Sequence, residues 1–319
     1  MSNIAARAGK VQVRVGGNTQ DFASLVDTIP DGRILEKNNS DTSNPVSNHN
    51  LSHSLPHSHI FLQTNTPSTL FTADVLYLLG NVSSLVNVEW YLGVPLNDTT
   101  NLRLQIAEVG TQVLGDKLLG LQVGNEPDLY ADHGHRESGY SPTDYNNEFG
   151  IVASALDNDN LVTNKQLLIG PSIADSGWTP EMVWDTGFTT HPELKILAVE
   201  RYPTDNCFAQ FQIGTERFPQ DVFANYLNHT SGQNIVQPYL NSTAFAQTIG
   251  KPFMMFETNT ASCGGFPGVS NSFGAALWAL DFGLQMAYSN FSGALLHVGG
   301  QSVYYNVCPF FLEVGVLPC

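Results

Sequence analysis

Three observations predict a parallel α/β barrel of the (β/α)8, TIM type. Short continuous apolar runs alternate with helical patterns through most of the 319 residues, which is how buried parallel strands and their crossover helices read in sequence. Seven such runs can be counted, ending near Val15, Val94, Val123, Ile169, Val199, Phe256 and Val298, too many in one domain for a doubly wound sheet to be the better choice. Two of the runs lead directly into acids, Glu126 and Glu257, and barrels of this type carry their chemistry at the C-terminal strand ends.

The chain opens in mid-motif. Residues 2 to 9 (SNIAARAG) read as the tail of a helix closed by Gly9, and Lys10 to Val15 (KVQVRV) as an alternating strand. A glycine turn, Gly16 to Asp21, follows and presents Asn18 and Gln20 as uncharged hydrogen-bonding groups suited to a polyhydroxylated ligand. Residues 36 to 66 are polar, rich in Ser, Asn and His, and without periodicity, so a long surface loop is expected. His49, His53, His57 and His59 fall there, but Pro56 and the surrounding Ser and Asn disfavour the helix that would align them on a metal.

Thr66-Pro67 reads as a helix start running to Leu79, Leu85 to Val94 as a strand, and Thr99 to Leu114 as a helix by the spacing of Leu102, Ile106, Val109 and Val113. Leu118 to Val123 is the strand that delivers Glu126. Ser141-Pro142 caps a helix through about Leu156, strands follow at Leu167 to Ile169, Leu194 to Val199, Phe253 to Phe256 and Ala294 to Val298, and Ser272 to Tyr288 is helical. Because a barrel needs eight strands and the chain begins in a helix, the missing strand is expected to precede Met1. The Glu126 strand is then fourth and the Glu257 strand seventh.

Around Glu126 the segment LQVGNEPDL (121 to 129) ends a strand, turns at Gly124, and uses Pro127 to stop the ladder and push Glu126 away from helical angles. PFMMFETN (252 to 259) repeats the design with Glu257. Paired carboxyls at strand ends are the minimal equipment of a glycosidase, and Asn125 adds an amide that can bond a sugar hydroxyl. Other chemistries lack their signatures: there is no G-x-S-x-G, no G-x-x-x-x-G-K-[ST], no H-E-x-x-H and no G-x-G-x-x-G. No metal or organic cofactor is expected.

With 42% hydrophobic and 13% charged residues the composition is globular, and 29 acidic against 13 basic residues leave no basic stripe for nucleic acid or an anionic membrane. No run approaches the length of a membrane-spanning helix, and the start MSNIAARAGK lacks the apolar core of a signal peptide. Seven sequons, at Asn38, Asn50, Asn81, Asn97, Asn228, Asn241 and Asn290, nevertheless favour secretion. The cysteines Cys207, Cys263, Cys308 and Cys319 have no metal-type spacing. Cys263, close to Glu257, has no His placed to activate it as a nucleophile. A structural disulfide with Cys207, which follows another strand end, is expected instead.

With N-E-P after the fourth strand and Glu after the seventh, the chain resembles clan A glycoside hydrolases, and more closely glycoside hydrolase family 79, the fungal β-glucuronidases related to heparanase. The resembling stretches are VRVGGNTQ (13 to 20), EKNNSDTSNP (36 to 45), SSLVNVEWYLGVPLNDT (83 to 99), LLGLQVGNEPDLY (118 to 130), RYPTDNC (201 to 207) and FETNTASCGGFPGVSNSFGAALWALDFGLQMA (256 to 287). The resemblance implies retaining hydrolysis of β-linked glucuronides, with Glu126 as acid/base, Glu257 as nucleophile, Tyr202 as partner of the nucleophile and Asn125 on the sugar. It also implies that the glucuronate carboxylate meets the loop after the nucleophile, here Ser262 to Gly265 with a backbone anion nest at Gly264 and Gly265, together with Tyr304.

The alternatives are another clan A β-glycosidase or glucanase, and an inactive carbohydrate-binding remnant. The remnant would keep both glutamates but lack the complete fold, and three departures from the family stand out: the stretch Val46 to Asn65 is longer and richer in His and Ser than the family suggests, the first strand is absent, and after Asn306 the sequence VCPFFLEVGVLPC departs from the family. Residues 1 to 306 are thus expected to form an N-terminally incomplete barrel, with 307 to 319 as an aberrant tail in place of the family's C-terminal β-sandwich. Such a chain is expected to fold poorly and to have little activity by itself.

Overall fold

The computed structural model describes residues 1–37, 68–299 and 304–305. Ten strands occur among them: β1 (Val11–Val15), β2 (Ala23–Leu25), β3 (Leu35–Lys37), β4 (Thr69–Phe71), β5 (Val88–Val94), β6 (Leu118–Val123), β7 (Leu168–Ile173), β8 (Leu194–Glu200), β9 (Phe253–Thr258) and β10 (Gly293–Leu296). Seven make one sheet in the order β1-β5-β6-β7-β8-β9-β10, and β2-β4-β3 make a second, small sheet. Each strand of the large sheet therefore neighbours the next such strand in sequence, the order that crossover helices impose.

By Cα packing the chain divides into two compact units, Met1–Val199 and Glu200–Cys319. In the first, β1, β5, β6, β7 and β8 pair in parallel, with Val11 opposite Val88, Leu92 opposite Leu121, and Gln122 opposite Ile169. The strands β5 to β8 are buried along almost their whole length, whereas β1 alternates with exposed positions. The burial pattern accounts for their predominantly apolar composition. Helices α1 (Ser2–Ala8), α2 (Ala73–Val86), α3 (Gln105–Leu114), α4 (Pro142–Asn158) and α5 (Pro180–Trp184) belong to this unit. Tyr145 and Phe149 of α4 lie 6.1 Å apart and pack with Phe188 at centroid distances of 5.7 and 4.6 Å, against Gly170 of β7.

In the second unit β9 and β10 pair in parallel, Gly293 opposite Met254, beside α6 (Cys207–Phe211), α7 (Pro219–Tyr226), α8 (His229–Val236), α9 (Leu240–Thr248) and α10 (Phe273–Tyr288). Its core gathers Tyr239, Phe253 and Phe291 in edge and tilted contacts of 5.1 to 6.2 Å.

The local signals worked where a cap was present. Ser141 Oγ accepts from Asp144 N (3.3 Å) while the Asp144 carboxylate accepts from Ser141 N (2.9 Å), and α4 starts at Pro142. Gly9 closes α1 at φ 82°. Several boundaries differ from the sequence reading: the last strand is Gly293–Leu296 and stops short of Val298, the strand expected at Leu167 to Ile169 is Leu168–Ile173, and residues 36 and 37 of the expected loop lie in β3. The helix expected to run to Leu79 begins only at Ala73, because Thr69–Phe71 is spent as a strand between β2 and β3. It then runs on to Val86 and ends where Asn87 turns left-handed at φ 50°, so Leu85 is helical and 82% exposed, not the start of a strand. The helix expected from Thr99 begins at Gln105: the Asp98 carboxylate takes the Thr100 and Asn101 N–H groups and ties Asp98 to Asn101 as a turn. The His-rich segment, Thr66-Pro67, the sequons at Asn38 and Asn50, Cys308, Cys319 and the tail from Val307 lie outside the described residues.

Candidate active site

In the first unit the site is built on the turn after β6. Gly124 leaves the strand at φ 71°, which a residue without Cβ adopts freely. Glu126 follows at φ 50°, ψ 57°. Pro127 does keep Glu126 out of the right-handed helical region, but the residue takes the left-handed one, a conformation worth about 1 to 2 kcal/mol of strain for a side chain with Cβ. The backbone is held there by Gly124 N to Val94 O (3.2 Å), Glu126 N to Ser172 O (3.1 Å) and Leu129 N to Glu126 O (2.9 Å). Asp128 fastens the far side, its carboxylate accepting from Ala174 N (2.8 Å) and Ser176 N (2.7 Å). Burial raises this acid to about 6 in spite of those bonds.

Asn125 is buried, and its amide is fully engaged. It donates to Asn18 Oδ1 (2.7 Å) and reaches Glu126 Oε2 (3.5 Å), while its oxygen accepts from Arg14 and lies 3.5 Å from Gln122 Nε2. Arg14 also donates to Gln122 Oε1 (2.6 Å). Thus Asn18, Asn125 and Glu126 come together, with a cation behind them that the sequence reading passed over. Its one signal was a charge inside the alternating strand VQVRV. Gln20, expected to face a ligand, turns inward instead: it is 3% exposed, with its amide donating to Gln122 O (3.3 Å) and accepting from Gly17 N (3.2 Å).

In the second unit Glu257 lies near the end of β9, its side chain largely covered. The phenol of Tyr202, just past β8, donates to Glu257 Oε1 at 2.7 Å, and His297, just past β10, sets Nδ1 at 2.8 Å from the same phenol oxygen and 3.4 Å from Glu257 Oε1. The backbone locks this arrangement through Arg201 N to Glu257 O (3.0 Å) and His297 N to Thr258 O (2.8 Å), and Asn259 Nδ2 donates to His297 O (2.7 Å). Neither His297 nor Tyr305, whose ring packs 5.2 Å from the imidazole and whose phenol donates to Ala261 O (2.6 Å), was singled out from sequence. The position of His297 at the end of the last strand, ALLHV, was the available signal.

The loops after β8 and β9 are zipped together. Cys207 and Cys263 are bonded with Cα atoms 5.0 Å apart, and Ser262 N to Thr204 O (3.0 Å), Asn206 N to Ser262 O (3.2 Å) and Asn206 Nδ2 to Gly265 O (2.8 Å) run alongside. Cys263, Gly264 and Gly265 all have positive φ, at 55°, 91° and 78°. Within this loop Gly265 N lies 3.5 Å from Ser262 O, and Gly264 O accepts from Tyr304 N (2.7 Å). Gly265 is required where it stands, since a Cβ there would lie 2.6 Å from Ser270 Oγ. Tyr304 itself is 37% exposed.

Among the described residues no group of three or more His, Cys, Asp or Glu is placed to hold a metal ion. No described helix is long and apolar enough to cross a membrane. Of the described sequons, Asn81, Asn228, Asn241 and Asn290 are exposed, while Asn97 is half-buried and bonded by Arg103.

No protein-family model matches the chain. It is 28% identical to a β-glucuronidase of Aspergillus niger over 97% of its own length and 55% of the relative's. It is 25% identical to a β-glucuronidase of Neurospora crassa over 97% of its length and 54% of that relative's. The chain therefore spans about half the length of the curated relatives it matches. Among solved structures it superposes on a 4-O-α-L-rhamnosyl-β-D-glucuronidase from Fusarium oxysporum with a TM-score of 0.67 at 19% identity, covering 92% of this chain and 56% of that one. A xyloglucanase of Paenibacillus polymyxa from glycoside hydrolase family 44 superposes with a TM-score of 0.53 at 10% identity. These structural likenesses speak to the fold, which is the (β/α)8-type barrel. The chain is a homologue of curated fungal β-glucuronidases, as its resemblance to glycoside hydrolase family 79 implies, on a barrel fold shared with solved glycosidases.

Proposed function

We propose that the chain is the catalytic portion of a retaining glycoside hydrolase acting on β-linked glucuronides, with Glu257 as nucleophile and Glu126 as acid/base. The observation that carries the reading is the Tyr202 phenol donating to Glu257 Oε1 at 2.7 Å. A carboxylate held by a donor at a strand tip keeps its charge and its aim, which is what attack on an anomeric carbon requires. In the first step Glu126 gives its proton to the glycosidic oxygen as that oxygen leaves C1, and a Glu257 oxygen bonds C1. In the second step Glu126 takes a proton from water, the water oxygen bonds C1, and Glu257 is released as carboxylate. Two displacements at C1 preserve its configuration. Retaining chemistry requires the two carboxyls about 5 to 5.5 Å apart, a separation to be measured in an inhibitor-bound crystal structure; a gap near 9 Å would speak for inversion.

Support for glucuronides over neutral sugars comes from the named activities of the curated relatives, and Tyr304 beside the Gly264 loop is the proposed contact to the sugar carboxylate. A panel of nitrophenyl glycosides tests both levels. Turnover of the glucuronide and not the glucoside supports the proposal, the reverse moves the chain to a neutral-sugar glycosidase, and no turnover at all sinks the enzymatic reading of this chain. Glu257→Gln should abolish turnover, whereas Glu126→Gln should spare the kcat/KM of substrates with very good leaving groups, whose first step needs little protonation. The exposed sequons support secretion, which a mass shift on deglycosylation of material from a glycosylating host would check.

A further inference from the structure

A carboxylate and a phenol, both buried, sit under the turn that presents Glu126. Asp21 and Tyr130 are each 1% exposed. The Tyr130 phenol donates to Asp21 Oδ2 (2.8 Å) and accepts from the backbone N–H of Asn125 (3.2 Å), and Asp21 Oδ1 accepts from Leu96 N (3.1 Å). The phenol oxygen is also pressed against the turn, since a Cβ on Gly124 would come within 2.6 Å of it. The pair is anchored from outside. Arg103 donates to Asp21 O (2.6 Å), and Arg136 lies over the Tyr130 ring (5.4 Å) while donating to Leu96 O (2.6 Å) and pairing with Glu148 (2.8 Å).

An apolar filler would be the cheaper way to pack such a place, because a buried carboxylate loses its hydration. That cost is visible in Asp21, which burial holds up at about 6 against the pull of Tyr130, Leu96, Asn125 and Arg136. What the acid supplies in return is direction. It orients the single O–H of Tyr130, and so leaves the phenol oxygen's lone pairs for the Asn125 N–H. The next residue is Glu126, in the left-handed region at φ 50°, a conformation that persists only where the surroundings over-determine it.

We propose that Asp21 and Tyr130 are positioning residues for Glu126, a hydrogen-bonded relay from a buried carboxylate through a phenol to the backbone of the turn. The inference rests on the reading of Glu126 as acid/base. Its signature is selective in the first step: misplacing the acid lowers kcat/KM only for those substrates whose leaving group needs a proton.

The test compares Tyr130→Phe, which keeps the ring and removes the oxygen, with Asp21→Asn and Glu126→Gln, on an alkyl or weakly activated aryl glucuronide and on a dinitrophenyl glucuronide. Both relay variants are expected to lose about 10- to 100-fold in kcat/KM on the poor leaving group and to stay within about threefold in kcat/KM on the good one, whose kcat falls instead because the second step needs Glu126 as base. Equal losses on both substrates, or no loss on either, overturn the inference. If Glu126→Gln itself shows no leaving-group dependence, the acid/base reading falls. If it does and the relay variants do not, only the relay falls. Melting curves of each variant set an assay temperature at which all are folded. A readout independent of turnover is amide exchange of Asn125, expected to quicken at least tenfold in Tyr130→Phe; unchanged exchange overturns the relay even in a chain without activity.

Discussion

The phenol oxygen of Tyr202 stands 2.7 Å from Glu257 Oε1 and 2.8 Å from Nδ1 of His297. A phenol has one proton, so if it is given to the carboxylate, His297 must donate through Nδ1, either as that tautomer or as imidazolium. The bond to a charged acceptor is worth about 1.5 to 3 kcal/mol. Tyr202→Phe is therefore expected to lower kcat roughly 10- to 100-fold with little change in KM. Nitrogen NMR of His297 should show a protonated Nδ1, and an Nε2–H tautomer would contradict the chain of donors.

Stability should fall as pH rises through the range in which Asp21 and Asp128 ionise. Both are raised by burial to about 6 from 3.8. A group whose folded value lies above its unfolded one contributes stability that is complete below the unfolded value and is lost as pH rises through the folded one. The expected loss between about pH 4 and 6 is on the order of 2 to 3 kcal/mol per acid. Denaturant melts of Asp21→Asn and Asp128→Asn across that range should each show a flatter profile; an unaltered slope would mean that burial does not perturb them.

Cleaving the Cys207–Cys263 bond should cost stability without altering the secondary structure. The sequence separation is 56 residues, for which loop-closure entropy gives a ceiling of about 4 kcal/mol. The double Ser variant is expected to lose about 2 to 4 kcal/mol in urea melts, and thiol titration of the denatured, unreduced chain should find neither of these cysteines reactive.

Gly124 and Gly177 separate backbone strain from packing. Both have positive φ, at 71° and 85°, but a Cβ at Gly124 would meet Tyr130 Oη at 2.6 Å and Leu96 Cδ2 at 2.9 Å, whereas at Gly177 nothing lies within 4 Å. Gly177→Ala should cost about 1 to 2 kcal/mol from the left-handed conformation alone. Gly124→Ala should cost a further 1 to 3 kcal/mol, because a packed wall must shift. Equal losses would show that the turn has room to relax.

Much of the fold was legible in the sequence because it is written in near neighbours. The runs that became β5, β6, β7, β8 and β9 are apolar because both strand faces are buried, and Ser141, Pro142 and Gly9 mark helix ends through bonds within a few residues. Glu126 and Glu257 stood out for the same reason, each being the first acid after such a run. The boundaries at Ala73 and Gln105 were misread where side chains compete locally with the helix, as Asp98 does, or where three residues join a distant strand, as Thr69–Phe71 do.

By itself, then, the sequence determined the order and type of the main elements, the two candidate acids and the resemblance to β-glucuronidases, because periodicity, capping and motif letters are properties of adjacent residues. Only the tertiary structure decided that Gln20 turns inward, that Arg14 backs Asn125, that His297 and Tyr305 gather at Glu257, and that Asp21 reaches the Glu126 turn through Tyr130 across a sequence separation of 109. Those placements depend on how distant elements pack: for Arg14 a one-residue slip in strand pairing would turn the side chain to the other face, and for the others the loops and turns that carry them are set by contacts far apart in sequence.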